Sequence, residues 1–97
     1  MKISFDYDDT ISTKKGGDLA KQLIADGNDV YIISARNLKV GMIDRARSIG
    51  ILTNRVFATG SNENKIAKVK ELGIETHYDN NENVIKELGA KGKLFTN

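Results

Sequence analysis

The chain has 97 residues, a formal net charge of +2 and no cysteine. That is the span of one domain, with neither a disulfide frame nor a thiolate metal site, and with too little charge to demand nucleic acid or a membrane as partner. No apolar run approaches the ~20 residues of a membrane-spanning helix. Met1 runs directly into Lys2-Ile3-Ser4-Phe5-Asp6 with no room for a signal peptide, so a single cytoplasmic domain over residues 1–97 is expected.

Lys2–Asp6 reads as the first strand, and Ser12–Gly17 as a loop by composition. Asp18 is placed to cap a helix that buries Leu19, Leu23 and Ile24 and stops at Gly27. Asp29–Ser34 contains Val30-Tyr31-Ile32-Ile33, the near-continuous apolar run of a strand buried on both faces. Asn37 then caps a helix whose stripe is Leu38, Met42, Ala46 and Ile49, ending at Gly50.

The same rhythm continues. Arg55–Ala58 is a short strand and Thr59–Asn62 a turn; Glu63–Leu72 is a helix with Ile66, Val69 and Leu72 inward, closed by Gly73. Glu75–Tyr78 is a strand, Glu82–Leu88 a helix with Val84, Ile85 and Leu88 inward, and Lys93–Thr96 the last strand. Five strands alternating with four helices predict an α/β fold. Right-handed crossovers make it a three-layer, doubly wound, Rossmann-like sandwich on a five-stranded parallel sheet. Ligands bind such sheets beyond the carboxyl ends of the strands.

Those ends carry the chemistry-bearing residues. Asp6-Tyr7-Asp8-Asp9-Thr10 follows the first strand, and three carboxylates so close repel one another unless a cation or proton compensates. Asp6 and Asp8 face the same side while the chain is extended, and oxygen-only ligands favour magnesium. An acidic turn is the plain alternative. Ser34 closes the second strand, Lys65 opens the third helix, and Asp79 follows the fourth strand. One by one these are a turn residue, a solvated lysine and a turn former; together they converge on one sheet edge.

Phe5-Asp6-Tyr7-Asp8-Asp9-Thr10-Ile11 resembles the first motif of the haloacid dehalogenase superfamily, an apolar strand followed by Asp-x-Asp-x-Thr. Val30–Ser34 resembles its second motif, Lys65 its third, and His77-Tyr78-Asp79-Asn80 its fourth, in family order over nearly the whole chain. The resemblance implies a magnesium-dependent phosphatase. Asp6 would attack phosphorus, and Asp8 would protonate the leaving group and then activate water. Ser34, Lys65 and Thr10 would serve the phosphate, Thr10 by steadying the loop. Asp6, Asp79 and the backbone carbonyl of Asp8 would hold Mg²⁺.

Asn80 stands where the family often has a second acid, with Glu82 the nearest substitute, and Lys68 is an alternative to Lys65 one turn on. The short segments after Thr10 and between Ser34 and Lys65 leave no space for a cap domain. An open site implies a nucleotide, a nucleic-acid end or another phosphorylated molecule as substrate, and leaves homo-oligomerisation open. Ser34-Ala35-Arg36 and the Asp79…Val84 stretch faintly resemble the 3′-phosphatase domains of polynucleotide kinases. Arg36, Lys39, Arg47, Lys14 and Lys15 are candidates for an anion-attracting rim or for plain surface charge. His77 and Tyr7 read as packing and loop-fixing residues.

Two other readings compete. A phospho-accepting receiver domain needs an aspartate closing the third strand, which Arg55–Thr59 lacks. A catalytically silent binding or structural module is favoured by Asn80 and opposed by Asp6, Asp8, Ser34 and Lys65.

Overall fold

The computed structural model describes residues 1–97. Strands β1 (Lys2–Phe5), β2 (Asp29–Ser34), β3 (Val56–Ala58), β4 (Thr76–Asp79) and β5 (Gly92–Leu94) form one sheet in the order β3-β2-β1-β4-β5. Every neighbouring pair is parallel, and each crossover contains a helix. These are α1 (Lys14–Ala25), α2 (Met42–Ile49), α3 (Asn62–Glu71) and α4 (Glu82–Leu88). The chain is thus an α/β domain on a five-stranded parallel sheet. Its strand order reverses between β1 and β4, which brings their carboxyl ends side by side.

Successive strand residues point to opposite faces, and β2 divides its isoleucines accordingly. Ile32 packs in one apolar cluster with Ile3, Phe5, Ala20, Met42 and Ala46. Ile33 packs in another with Val69, Ile74, Val84 and Leu88. Each of the larger of these side chains stabilises by about 1.5–3 kcal/mol relative to exposure. The second cluster takes nothing from β1, because the residue between Ile3 and Phe5 is Ser4. Ser4 is fully buried opposite its register partner, His77 of β4. A polar patch therefore lies beneath α3.

Two helix starts differ from the expectation. α1 begins at Lys14, not after Asp18, because Thr13 is the cap. Its Oγ1 accepts from the Gly16 amide at 3.0 Å and donates to the Thr10 carbonyl at 2.6 Å. Gly16 and Gly17 are helical and buried, not loop. α2 begins about one turn later than an Asn37 cap predicts, and Leu38, expected inside, is 69% exposed. Gly41 precedes it at φ 79°, a conformation that no helix runs through. Arg36 also holds the Val40 carbonyl through Nη1 at 3.1 Å, which keeps residues 36–41 irregular. β2 and α4 fall where expected, and the remaining boundaries move by one or two residues.

The acidic loop after β1 is fastened from both sides. Ile11 and Ser12 amides return to the Asp6 and Tyr7 carbonyls at 3.1 and 3.0 Å, and Asp9 takes φ 58°, which aspartate tolerates better than most residues. Arg45 of α2 donates to the Ile11 and Thr13 carbonyls at 2.9 and 2.8 Å. A Cβ on Gly16 would lie 1.9 Å from the Thr10 carbonyl oxygen, so only glycine lets α1 sit this close. Gly16→Ala is expected to lose about 1–3 kcal/mol of stability by forcing helix and loop apart. Urea denaturation measures it, and an unchanged midpoint would show that the close approach is dispensable.

Candidate active site

β1 ends at Phe5, and the Asp6 amide donates to the Tyr78 carbonyl at 2.9 Å, carrying the chain just past the sheet beside β4. Asp79 closes β4, so the two carboxylates emerge from adjacent strand ends. Lys65 reaches them from the first turn of α3, which Ser61 caps by accepting from the Asn64 amide at 3.0 Å. Lys65 Nζ lies 2.7 Å from Asp79 Oδ2 and 3.3 Å from Asp6 Oδ1, with 3% of its side chain exposed. Lys68, the alternative lysine, points elsewhere: it stands over the Phe57 ring and pairs with Glu71.

Behind Asp79 the chain of contacts continues inward. His77 Nε2 lies 2.9 Å from Asp79 Oδ2, and its Nδ1 lies 2.6 Å from Ser4 Oγ. Burial lowers the pKa of His77, although Asp79 pulls the other way. The neutral ring therefore carries its proton on Nε2, donating to Asp79, and accepts from the Ser4 hydroxyl at Nδ1. This Ser-His-Asp line is no nucleophile relay, since Ser4 is fully buried in mid-strand. It fixes Asp79. His77, expected only as a packing residue, belongs to the site: two before Asp79 on one strand, it shares that residue's face.

The charges do not balance. One ammonium faces two buried carboxylates, with His77 neutral. Burial, and then the charge of Asp79, raises Asp6 to about 6 from its ordinary 3.8 despite the help of Lys65. Asp79 is also opposed by burial, but hydrogen bonds from His77, Lys65 and the Asn81 amide hold it below the usual range.

At the mouth, Asp8 is an exposed rim residue. Arg36 grips both its oxygens, Nε to Oδ2 at 2.9 Å and Nη2 to Oδ1 at 2.8 Å. Ser34 is buried at the end of β2, and its Oγ accepts from the Arg36 amide at 3.0 Å. Its own hydroxyl proton is left to donate. Asp6, Asp8, Ser34, Arg36, Lys65 and Asn80 are among the residues lining one cleft of about 360 Å³. Thr10 does not line it. Fully buried, it donates to Asn80 Oδ1 at 3.4 Å, a loop-steadying place with no exposure to a phosphate.

Of the basic residues considered for a rim, only Arg36 is on this cleft. Lys14 pairs with Asp18, Lys15 bonds the Thr96 carbonyl, and Arg47 is exposed on α2. Lys39 borders a larger groove of about 610 Å³ with Phe57 and Lys68, which holds none of Asp6, Asp8 and Asp79.

No three acidic or imidazole side chains converge as a metal cage. Mg²⁺ commonly takes only one or two carboxylates and completes its shell with water and substrate phosphate. Asp6 and Asp79 are hard oxygen donors with one negative charge in excess and suit that pattern, with Asp6 on the cleft and Asp79 fully buried behind it, its oxygens bonded to Lys65, His77 and the Asn81 amide.

Between pH 4 and 6 the folded chain holds a proton on Asp6 that the unfolded chain releases, so this group's contribution to stability falls as pH rises. Asp6→Asn removes that loss and leaves Lys65 and Asp79 as a balanced pair. In metal-free buffer it is expected to be more stable than the parent at pH 7 by about 1–3 kcal/mol, with little difference at pH 4. Urea midpoints measure this, and a variant less stable at pH 7 would contradict the charge imbalance.

No family model, curated protein or solved structure matches this chain.

Proposed function

We propose that the chain is a magnesium-dependent phosphomonoesterase of the haloacid dehalogenase type, with Asp6 as nucleophile. The observation that carries this reading is the meeting of Asp6 and Asp79 on one buried lysine, at the point where strand order reverses, with Asp8 at the same cleft. In this reading the fold is a capless, three-layer, doubly wound sandwich working in the cytoplasm. The two apolar clusters on opposite sheet faces support that layering.

A phosphate entering the cleft meets Asp6 at its floor. The Asp6 carboxylate attacks phosphorus, the bond to the leaving oxygen breaks, and Asp8 gives that oxygen a proton. In the second step Asp8 takes a proton from water, the water oxygen attacks phosphorus, and Asp6 is released as carboxylate. The Ser34 hydroxyl and the Lys65 ammonium meet charge on the phosphoryl oxygens, a role that is mainly electrostatic. Mg²⁺ held by Asp6, Asp79 and the Asp8 carbonyl would let an anionic nucleophile approach an anionic phosphate. His77 and Ser4 hold Asp79 in place beside Lys65. The open cleft suits a nucleotide, a nucleic-acid end or another phosphorylated molecule.

Purified protein is expected to release phosphate from an aryl phosphate with Mg²⁺ and to stop on chelation. Ser34→Ala should slow turnover by up to about 10²-fold, while Lys68→Ala changes it little. Turnover indifferent to chelation would contradict the magnesium-dependent reading, and no turnover of any phosphate ester would favour a silent module.

A further inference from the structure

Asp8, which the proposed chemistry requires at the leaving group, has both carboxylate oxygens occupied by Arg36. The grip is reinforced twice. The guanidinium lies 4.9 Å from the centre of the Tyr7 ring, and its remaining nitrogen holds the Val40 carbonyl. A bidentate pair of this kind is among the stronger side-chain contacts. Asp8 cannot serve a leaving group while both its oxygens face Arg36, so the guanidinium must let go, and a competing anion is what a guanidinium lets go for.

Burial says where that anion sits. Asp6 and Lys65, which would meet the reacting phosphate, lie at the floor with 10% and 3% of their side chains exposed. Arg36 and Asp8 lie at the rim with 38% and 54% exposed. A group that reaches the rim while the reacting phosphate is on the floor belongs to the leaving-group side of the substrate. Resting on the phosphatase reading, we propose that Arg36 is a latch on Asp8, released by a second phosphate carried on the leaving group. The substrate class is then a phosphomonoester whose leaving group bears its own phosphate mono- or diester. When Arg36 swings to that group it frees Asp8 and uncovers the face of Tyr7. Arg36 is thus the residue that sets specificity, by giving full activity only to substrates that displace it.

The test compares three substrates in the parent, Arg36→Ala and Arg36→Lys, each with Mg²⁺. They are an aryl phosphate with no second anion, a nucleoside bisphosphate, and a short oligonucleotide with a terminal phosphate. The parent should prefer at least one of the last two, and which one tells a free small molecule from a strand end. Arg36→Ala should raise kcat on the aryl phosphate several-fold, because the latch is gone. It should lower kcat/KM on the preferred substrate by about tenfold or more, because the charged contact is gone. Arg36→Lys, which keeps the charge without the fork, should fall between. A uniform change across all three substrates, no change, or a parent that prefers the aryl phosphate would overturn the latch while leaving the phosphatase reading intact. A parent inactive on all three would overturn both.

Discussion

The site depends on one buried ammonium shared between two carboxylates. Lys65 enters from α3 beside the polar patch that Ser4 and His77 make in the sheet, and there it meets Asp79 at 2.7 Å and Asp6 at 3.3 Å. Removing one partner from a buried ion cluster of this kind costs about 3–5 kcal/mol when it strands a charge. Ser4, His77 and the Asn81 amide satisfy what Lys65 leaves over on Asp79, and no buried side-chain polar atom is left without a partner. The cluster is well bonded and still short of positive charge. The proposed metal chemistry draws on that shortfall.

Topology makes the cluster possible. Only a reversal of strand order places the ends of β1 and β4 side by side, with α3 positioned to drop a lysine between them. The loop that presents Asp8 is then held by the helix that follows it, α1, through the missing side chain of Gly16, and by an element far away in sequence, α2, through Arg45. Rigid support on one side and an open cleft on the other is what positioning chemistry asks of a scaffold. The contact between Arg36 and Asp8 belongs to the open side, where a substrate can compete for it.

Much of this was legible in the residues. Alternating apolar strands and amphipathic helices gave the order of elements because burial period is written directly into sequence. The candidate residues Asp6, Asp8, Ser34, Lys65 and Asp79 could be placed at strand ends and a helix start from that order alone. Helix starts were harder. Thr13 and Asp18 are both good caps, and the choice fell to Gly16, whose value lies in a contact with the Thr10 carbonyl that only the folded chain has. Leu38 fits a helical stripe with Met42, yet Gly41 and the Arg36 contact to Val40 keep that segment irregular. The roles of Arg36 and Arg45 were hidden for the same reason: each acts on residues about 30 positions away, where no local pattern points.

The central claim, that Asp6 attacks phosphorus and Asp8 serves the leaving group and then water, is tested most directly by trapping. An aryl phosphate with a good leaving group needs little protonation, so Asp8→Asn should still transfer its phosphoryl group to the protein. Hydrolysis of the resulting acyl phosphate should then lag by about 10²–10⁴-fold. Intact-mass spectrometry after acid quenching is predicted to show one added phosphoryl group on Asp8→Asn, mapped to Asp6 by reductive cleavage, and none on Asp6→Asn. A phosphoryl group on Asp6→Asn, or one that maps to Asp9, would contradict the account.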